Sequence, residues 1–207
     1  SFPLAEYGNS ELDLKPYLTV GDAIDDLPLM DGDFKRNSWP YRSPPMNAYQ
    51  KWVRGKSNQT VSLHQANGLS EQARKIAEYV GQGQGLRAVP VDELPERFSK
   101  MRRISTGELR RDCTTLYHRL ASWNPAYTIT CHYRNVASGP FMHPYEDRSM
   151  SHREAARLMS VPDNYEFCSS GVPRQFGNAG PPLMAKAIGR HLSGLIRQDE
   201  KLTEKAA

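Results

Sequence analysis

The segment "RSMSHREAARLMSVPDNY" constrains this chain more tightly than any other. Ser151 and Glu154 stand three residues apart at the start of a run with helical spacing. The serine hydroxyl can therefore accept the N–H of residue 154 while the glutamate reaches back to the N–H of residue 151. Ala155, Leu158 and Met159 recur on one face, and Pro162 stops the helix because it has no N–H to donate. Glu154 invites a catalytic reading, but its spacing from Ser151 accounts for it as a cap.

Other segments give weaker signals. The spacing predicts a short helix over 20–27, and a second in "GLSEQARKIAEYVGQGQG". There Leu69, Ala73, Ile76, Ala77 and Val80 share a face, Ser70 can cap and Gly81 can end it. The stretch "YHRLASWNPAYTITCHY", Tyr117 to Tyr133, combines β-branched and aromatic residues around Asn-Pro and predicts two short strands and a turn. In "RQFGNAGPPLMAKAIGRHL", Gly177-Asn178 predicts a left-handed turn in which Asn178 caps the last helix. That helix is expected to start at Pro181-Pro182, with Leu183, Ala187, Ile188, His191, Leu192 and Leu195 on one face and a fraying tail, "RQDEKLTEKAA". The opening part, rich in Pro, Gly and Asp, reads as a connector wrapped on something else.

Composition excludes several classes. The chain has 207 residues, 38% hydrophobic and 24% charged, sufficient for one sizeable domain or a larger domain's detached half. No stretch approaches the roughly 18–20 apolar residues of a membrane span, and the first residues lack the pattern of a signal peptide. A cytoplasmic location with no membrane partner is expected. Cys113, Cys131 and Cys168 are odd in number and far apart, which fits reduced thiols. Cys113, Cys131, His118, His132 and His143 form no Cys-x-x-Cys or His-x-x-x-His pair, so no metal site is expected. Gly81 to Gly85, "GQGQG", lacks the Gly-Lys-Ser/Thr ending of a phosphate loop. Net charge is +4, but "RFSKMRRISTGELRR" concentrates Arg97, Lys100, Arg102, Arg103, Arg110 and Arg111 against Glu108. That field suits a phosphate backbone or a solvated face equally.

Taken together, four segments resemble the C-terminal portion of the DNA cytosine-5 methyltransferases. Arg148 followed by "SHREAARLMSVPD" resembles the family's ninth motif, an arginine and then a capped helix of the form T-x-R-E-x-A-R-L-x-x-F-P-D. "QFGNAGPP", Gln175 to Pro182, resembles the tenth motif, Q-I-G-N-A-V-P-P. "LYHRLASWNPAYTITCHYRNVASGPFMHP" resembles the R-L-x-W-x-x-P-x-x-T-I-T stretch that closes the target recognition region, and "VGDAIDDLP" resembles the connector after the eighth motif. The chain departs from the pattern at Met159, Val161 and Gly180, where Gln, an aromatic residue and Val are usual.

The resemblance implies an α+β chain, with a small irregular β-containing target recognition domain and C-terminal helices that complete an S-adenosylmethionine-dependent, Rossmann-like α/β methyltransferase domain. It divides the chain into a connector over 1–35, the recognition domain over 36–147 and a closing segment over 148–207. It implies S-adenosylmethionine as cofactor beside Asn178, Ala179 and Gly180, and double-stranded DNA as partner. Thr128 and Thr130 would approach the DNA backbone, with Arg148 in a backbone contact. Arg153 and Arg157 would meet phosphate or form internal salt bridges. Base readout would come from roughly 82–125, with Gln82, Gln84, Arg87, Arg102 and Arg103 as candidates because Arg suits guanine and Gln suits adenine.

In the family, a cysteine following a proline adds to C6 of a flipped cytosine, a glutamate in Glu-Asn-Val assists at N3, and C5 takes the methyl group. The cysteines here lie in "RDCTT", "TITCH" and "EFCSS", so no catalytic residue is assigned. The expectation is that a partner subunit or a missing N-terminal half supplies the catalytic groups, in a bacterial restriction-modification setting. The alternative is a non-catalytic, sequence-specific DNA-binding remnant of such an enzyme.

Overall fold

Thr19 accepts the N–H of Asp22 at 3.1 Å and Asp22 accepts the N–H of Thr19 at 2.9 Å, a capping box that starts α1, Val20–Ile24. The computed structural model describes residues 5–8, 14–55, 59–99, 101, 113–167 and 171–206. After α1 come α2 (Ala48–Arg54), α3 (Glu71–Ala77), α4 (Glu96–Ser99), α5 (His152–Leu158), α6 (Val172–Asn178) and α7 (Pro182–Ala206). Two pairs of two-residue strands also occur among the described residues, with short 3-10 turns at Leu86–Ala88 and Val136–Ser138. β1 (Tyr7–Gly8) runs parallel to β2 (Lys15–Pro16), and β3 (Trp39–Pro40) is antiparallel to β4 (Thr60–Val61) with Trp39 opposite Val61. No described helix is long and apolar enough to cross a membrane.

The helix α5 is the hub. It packs against α1 and α6, and α2 packs against α1. One core joins Val20, Ile24 and Leu27 to Leu120, Phe141, Met150, Ala155, Ala156 and Phe176. Full burial of such side chains stabilises by roughly 1.5–3 kcal/mol each for the larger ones. The predicted apolar face of the second helix, from Leu69 to Val80, is buried in a second core with Leu86, Phe98, Tyr117, Val136 and Met142.

Several elements differ from the sequence reading. α1 ends at Ile24, three residues early, though Leu27 stays in the core. α2 and α6 fall in segments whose Pro and Gly content predicts none. Asn47 caps α2 by accepting the N–H of Gln50 at 2.8 Å, and Pro173 sits in the first turn of α6, where its missing N–H costs nothing.

Tyr117 to Tyr133 forms no strand. Tyr117 has a positive φ of 52°, and the backbone pairs only at isolated points: Tyr117 N–H to Val136, Arg119 with the Gly83–Gln84 turn, and a single bridge in which Leu120 donates to Met142 and Met142 to His118. Gly177 and Asn178 are the last residues of α6 rather than a left-handed turn. The N–H of Leu183 at the start of α7 is met by the Ser160 hydroxyl at 3.1 Å, in place of the expected Asn178 cap. α7 also continues through the tail expected to fray, whose Glu, Lys, Leu and Ala content favours helix.

Candidate functional site

The motif around α5 is an electrostatic weld. Glu154 closes the predicted capping box, accepting the N–H of Ser151 at 2.7 Å, and also accepts both Arg148 Nη1 at 2.9 Å and Nη2 at 2.6 Å. Arg148 Nε donates to Glu146 at 2.8 Å. Glu146 in turn accepts the N–H groups of Met30 and Asp31 at 2.8 and 3.0 Å. His64 bridges the Ser151 hydroxyl at 3.0 Å and the Pro28 carbonyl at 2.8 Å. Burial works against the charged form of Glu154, but Arg148 and then His143 outweigh it and hold the carboxyl well below the usual range.

A second weld forms one turn on. Arg157 donates to Asp163 at 3.0 and 2.6 Å, to the Ala23 carbonyl at 3.0 Å and to Asp26, which also pairs with Arg54. Arg153 donates to the carbonyls of Ser62 at 3.0 Å and Pro162 at 3.2 Å. These groups tie the segments around residues 26, 54, 64 and 146 to one short helix. They also correct an expectation: Arg148 is fully buried between two carboxylates and presents no N–H to a DNA phosphate. Arg153 and Arg157 are internal in the same way, which resolves their two readings in favour of internal ion pairs and hydrogen bonds.

The exposed edge lies beside α6. Thr128 and Thr130 are exposed on either side of buried Ile129. Gly177 sits so close to Cys131, the residue after Thr130, that an added Cβ would lie 2.6 Å from the Cys131 backbone nitrogen, so only glycine permits the contact. Behind it, Phe176 meets Tyr133 edge-on at 5.6 Å and Phe167 at 4.6 Å, and the Tyr133 hydroxyl pairs with His152 Nδ1. Burial, then the nearby Arg134 charge, lowers the His152 pKa to about 4. The structure therefore brings the "TIT" segment and the Gly177-Asn178-Ala179-Gly180 segment together across a long stretch of chain. Asn178, Ala179 and Gly180 are exposed, and a Cβ on Gly180 would meet nothing within 4 Å. They form an open wall that could border a ligand.

On the recognition side, Gln82 accepts the N–H of Ser122 at 2.9 Å and Gln84 accepts that of Gly81 at 3.0 Å. Arg87 is exposed and lines a cleft with His118 and Tyr127. None of Asn178, Ala179 and Gly180 lines this cleft. Arg102 and Arg103 lie outside the described residues. By sequence alone, His118 stands out only as a possible metal ligand and Tyr127 only as a strand residue. Tyr127 precedes the "TIT" threonines, a position that could have flagged it. No group of three or more His, Cys, Asp or Glu able to hold a metal occurs among the described residues.

With a capped, charge-welded helix ahead of a Gly-Asn wall and a close-packed threonine segment, the chain belongs to the C-5 cytosine-specific DNA methylase family, which it matches over residues 15–194. It is 32% identical over 189 residues to DNA (cytosine-5)-methyltransferase 2 of Arabidopsis thaliana, covering 84% of this chain and 12% of that protein. It is 30% identical over 228 residues to the type II methyltransferase M.AgeI of Thalassovita gelatinovora, covering 88% of this chain and 52% of that one. A solved Escherichia coli structure, described as a putative DNA modification methyltransferase encoded within a prophage, shares the fold with a TM-score of 0.58 at 20% identity, covering 89% of this chain and 49% of the other. The chain thus spans about half the length of these bacterial proteins and about an eighth of the plant enzyme.

Proposed function

We propose that this chain supplies the DNA target recognition region and one wall of the S-adenosylmethionine pocket of a DNA cytosine-5 methyltransferase. A partner subunit, or an N-terminal part of the same protein, contributes the catalytic cysteine and glutamate. Residues 1–35 then form the connector, 36–147 the recognition domain and 148–207 the segment that docks on the catalytic domain. Bound S-adenosylmethionine would supply the methyl group. Asn178, Ala179 and Gly180 would border its methionine end, while Thr128 and Thr130 face the DNA backbone.

The observation that carries this reading is the uncovered face of α7. Met184, Ile188, Leu192, Leu195 and Ile196 recur at helical spacing and are each at least 40% exposed, directly after the exposed Asn178–Gly180 wall. An apolar stripe beside half a pocket fits the remaining half of a methyltransferase, and the chain spans only about half of its bacterial relatives.

The test is co-expression with a candidate catalytic half, followed by measurement of 5-methylcytosine in the host DNA. Methylation that requires both parts is the expected result. Asn178→Ala should then raise the KM for S-adenosylmethionine while leaving duplex binding by the chain unchanged. A chain that bound DNA but gave no methylation in combination with any catalytic half would be a non-catalytic remnant, and that result would overturn the proposal.

A further inference from the structure

We propose that the cleft beneath the Gly81–Gly85 loop reads the major-groove edge of one guanine in the DNA, with Arg87 and Gln84 as donors and the Tyr127 ring as an apolar wall. The inference rests on the reading that this chain performs target recognition, and it names the base and the residues. The cleft encloses about 430 Å³ and is lined by Gln84, Arg87, Thr115, His118 and Tyr127 with the loop glycines.

Its walls are fixed before any ligand arrives. Gly83 takes a φ of +77° and donates its N–H to the Arg119 carbonyl at 2.9 Å, while Arg119 returns its N–H to the Gln84 carbonyl at 2.9 Å. The Arg119 guanidinium is itself held by the Val80 carbonyl at 2.8 Å and Asp147 at 2.6 Å. Gly85 lies where an added Cβ would be 2.8 Å from the Thr114 carbonyl, so the loop seats flush on the 114–119 segment. Side chains on such a frame lose little further freedom on binding.

The chemistry of the lining selects the ligand. Arg87 is exposed and presents a planar fork of N–H donors. Gln84 has its oxygen engaged by Gly81, which leaves its NH₂ group to donate. Guanine presents two acceptors, O6 and N7, in the major groove, whereas adenine presents an acceptor and a donor. A donor-rich cleft therefore matches guanine.

The His118 ring lines the cleft, its Nδ1 is buried with no hydrogen-bond partner, and burial favours its neutral form. Its ring meets Tyr127 edge-on at 5.3 Å, and Tyr127 is 46% exposed. An aromatic wall suits the face or edge of a base better than a phosphate. Arg87 is the one cation among the described residues lining the cleft. Thr128, exposed and next in sequence, places the cleft beside the segment proposed to follow the DNA backbone.

The experiment measures duplex binding by the full chain, and methylation by the complemented enzyme, on recognised DNA in which each guanine in turn is replaced by 7-deazaguanine. The wild-type chain should lose affinity roughly fivefold or more at one guanine, the scale of one lost base contact. Arg87→Ala should bind intact and substituted duplexes equally, and Arg87→Lys, which keeps N–H donors but not the planar fork, should retain only part of the discrimination. The salt dependence of binding should not change. If Arg87→Ala instead weakens every duplex alike and reduces the salt slope by about one, Arg87 contacts phosphate and the proposal fails. Equal binding of every deazaguanine duplex by the wild type would also overturn it. Because binding is read on this chain alone, failure of methylation would count against the proposed function without deciding this result.

Discussion

Replacing Glu154 by glutamine tests whether the α5 weld holds the fold together. The amide oxygen of the new side chain would still accept the Ser151 N–H, so the cap, worth about 1 kcal/mol, would survive. The charge would be lost opposite Arg148, which is fully buried. Removing one partner of a buried ion pair costs about 3–5 kcal/mol. Arg148 retains Glu146 at 2.8 Å, which places the expected loss near the lower end, about 3 kcal/mol.

For a chain of this size that loss corresponds to a fall in Tm of roughly 6–12 °C. Thermal and urea unfolding followed by circular dichroism would read it. The gap between wild type and variant should narrow as pH falls below about 4.3, the ordinary glutamate value. The folded-state pKa is depressed, so the stabilisation is present above that pH and is lost as the carboxyl takes up its proton. Adding Arg148→Met should recover most of the loss, because Glu146 keeps the Met30 and Asp31 N–H groups. A Glu154→Gln variant within about 0.5 kcal/mol of wild type would refute the reasoning, since a substitution that small in effect is typical of surfaces.

Three other outcomes are expected. Gly177→Ala would push Cβ into the Cys131 backbone, a strain of about 1–3 kcal/mol, and should reduce methylation by the complemented enzyme. Unchanged turnover and KM for DNA would show that the Cys131 contact has no bearing on the site. Ile188→Asp with Leu192→Asp should abolish co-purification with the catalytic half while leaving the chain's own Tm unchanged, because both side chains are exposed. Retained co-purification would place the docking face elsewhere. His152, with its pKa lowered to about 4, stabilises as the neutral ring, so stability should decline as pH falls from about 6.5 toward 4. Thermal melts across that range should show a smaller decline for His152→Gln.

Features that short-range chemistry controls were legible in the linear chain. Ser151 and Glu154 specify a helix start because both hydrogen bonds of the box close within four residues, and Leu69 to Val80 specify a buried face by spacing alone. The motif order was legible too, since it is a property of the linear chain. What the charged residues do depended on the assembled fold. Arg148, Arg153 and Arg157 look alike in sequence to phosphate ligands. They are buried because distant groups, Asp26 and the Ser62 carbonyl, join the nearby carboxylates Glu146 and Asp163 around them.

Tyr117 to Tyr133 has strand-like composition yet forms no strand, because its backbone partners are scattered loops rather than a neighbouring strand. Likewise "GNAG" reads as a turn, but the close approach of Cys131 to Gly177 and the Ser160 cap on α7 are contacts between segments far apart in the chain. Local hydrogen bonds are encoded in spacing, whereas burial of charge and backbone approach depend on which distant segments the fold brings together.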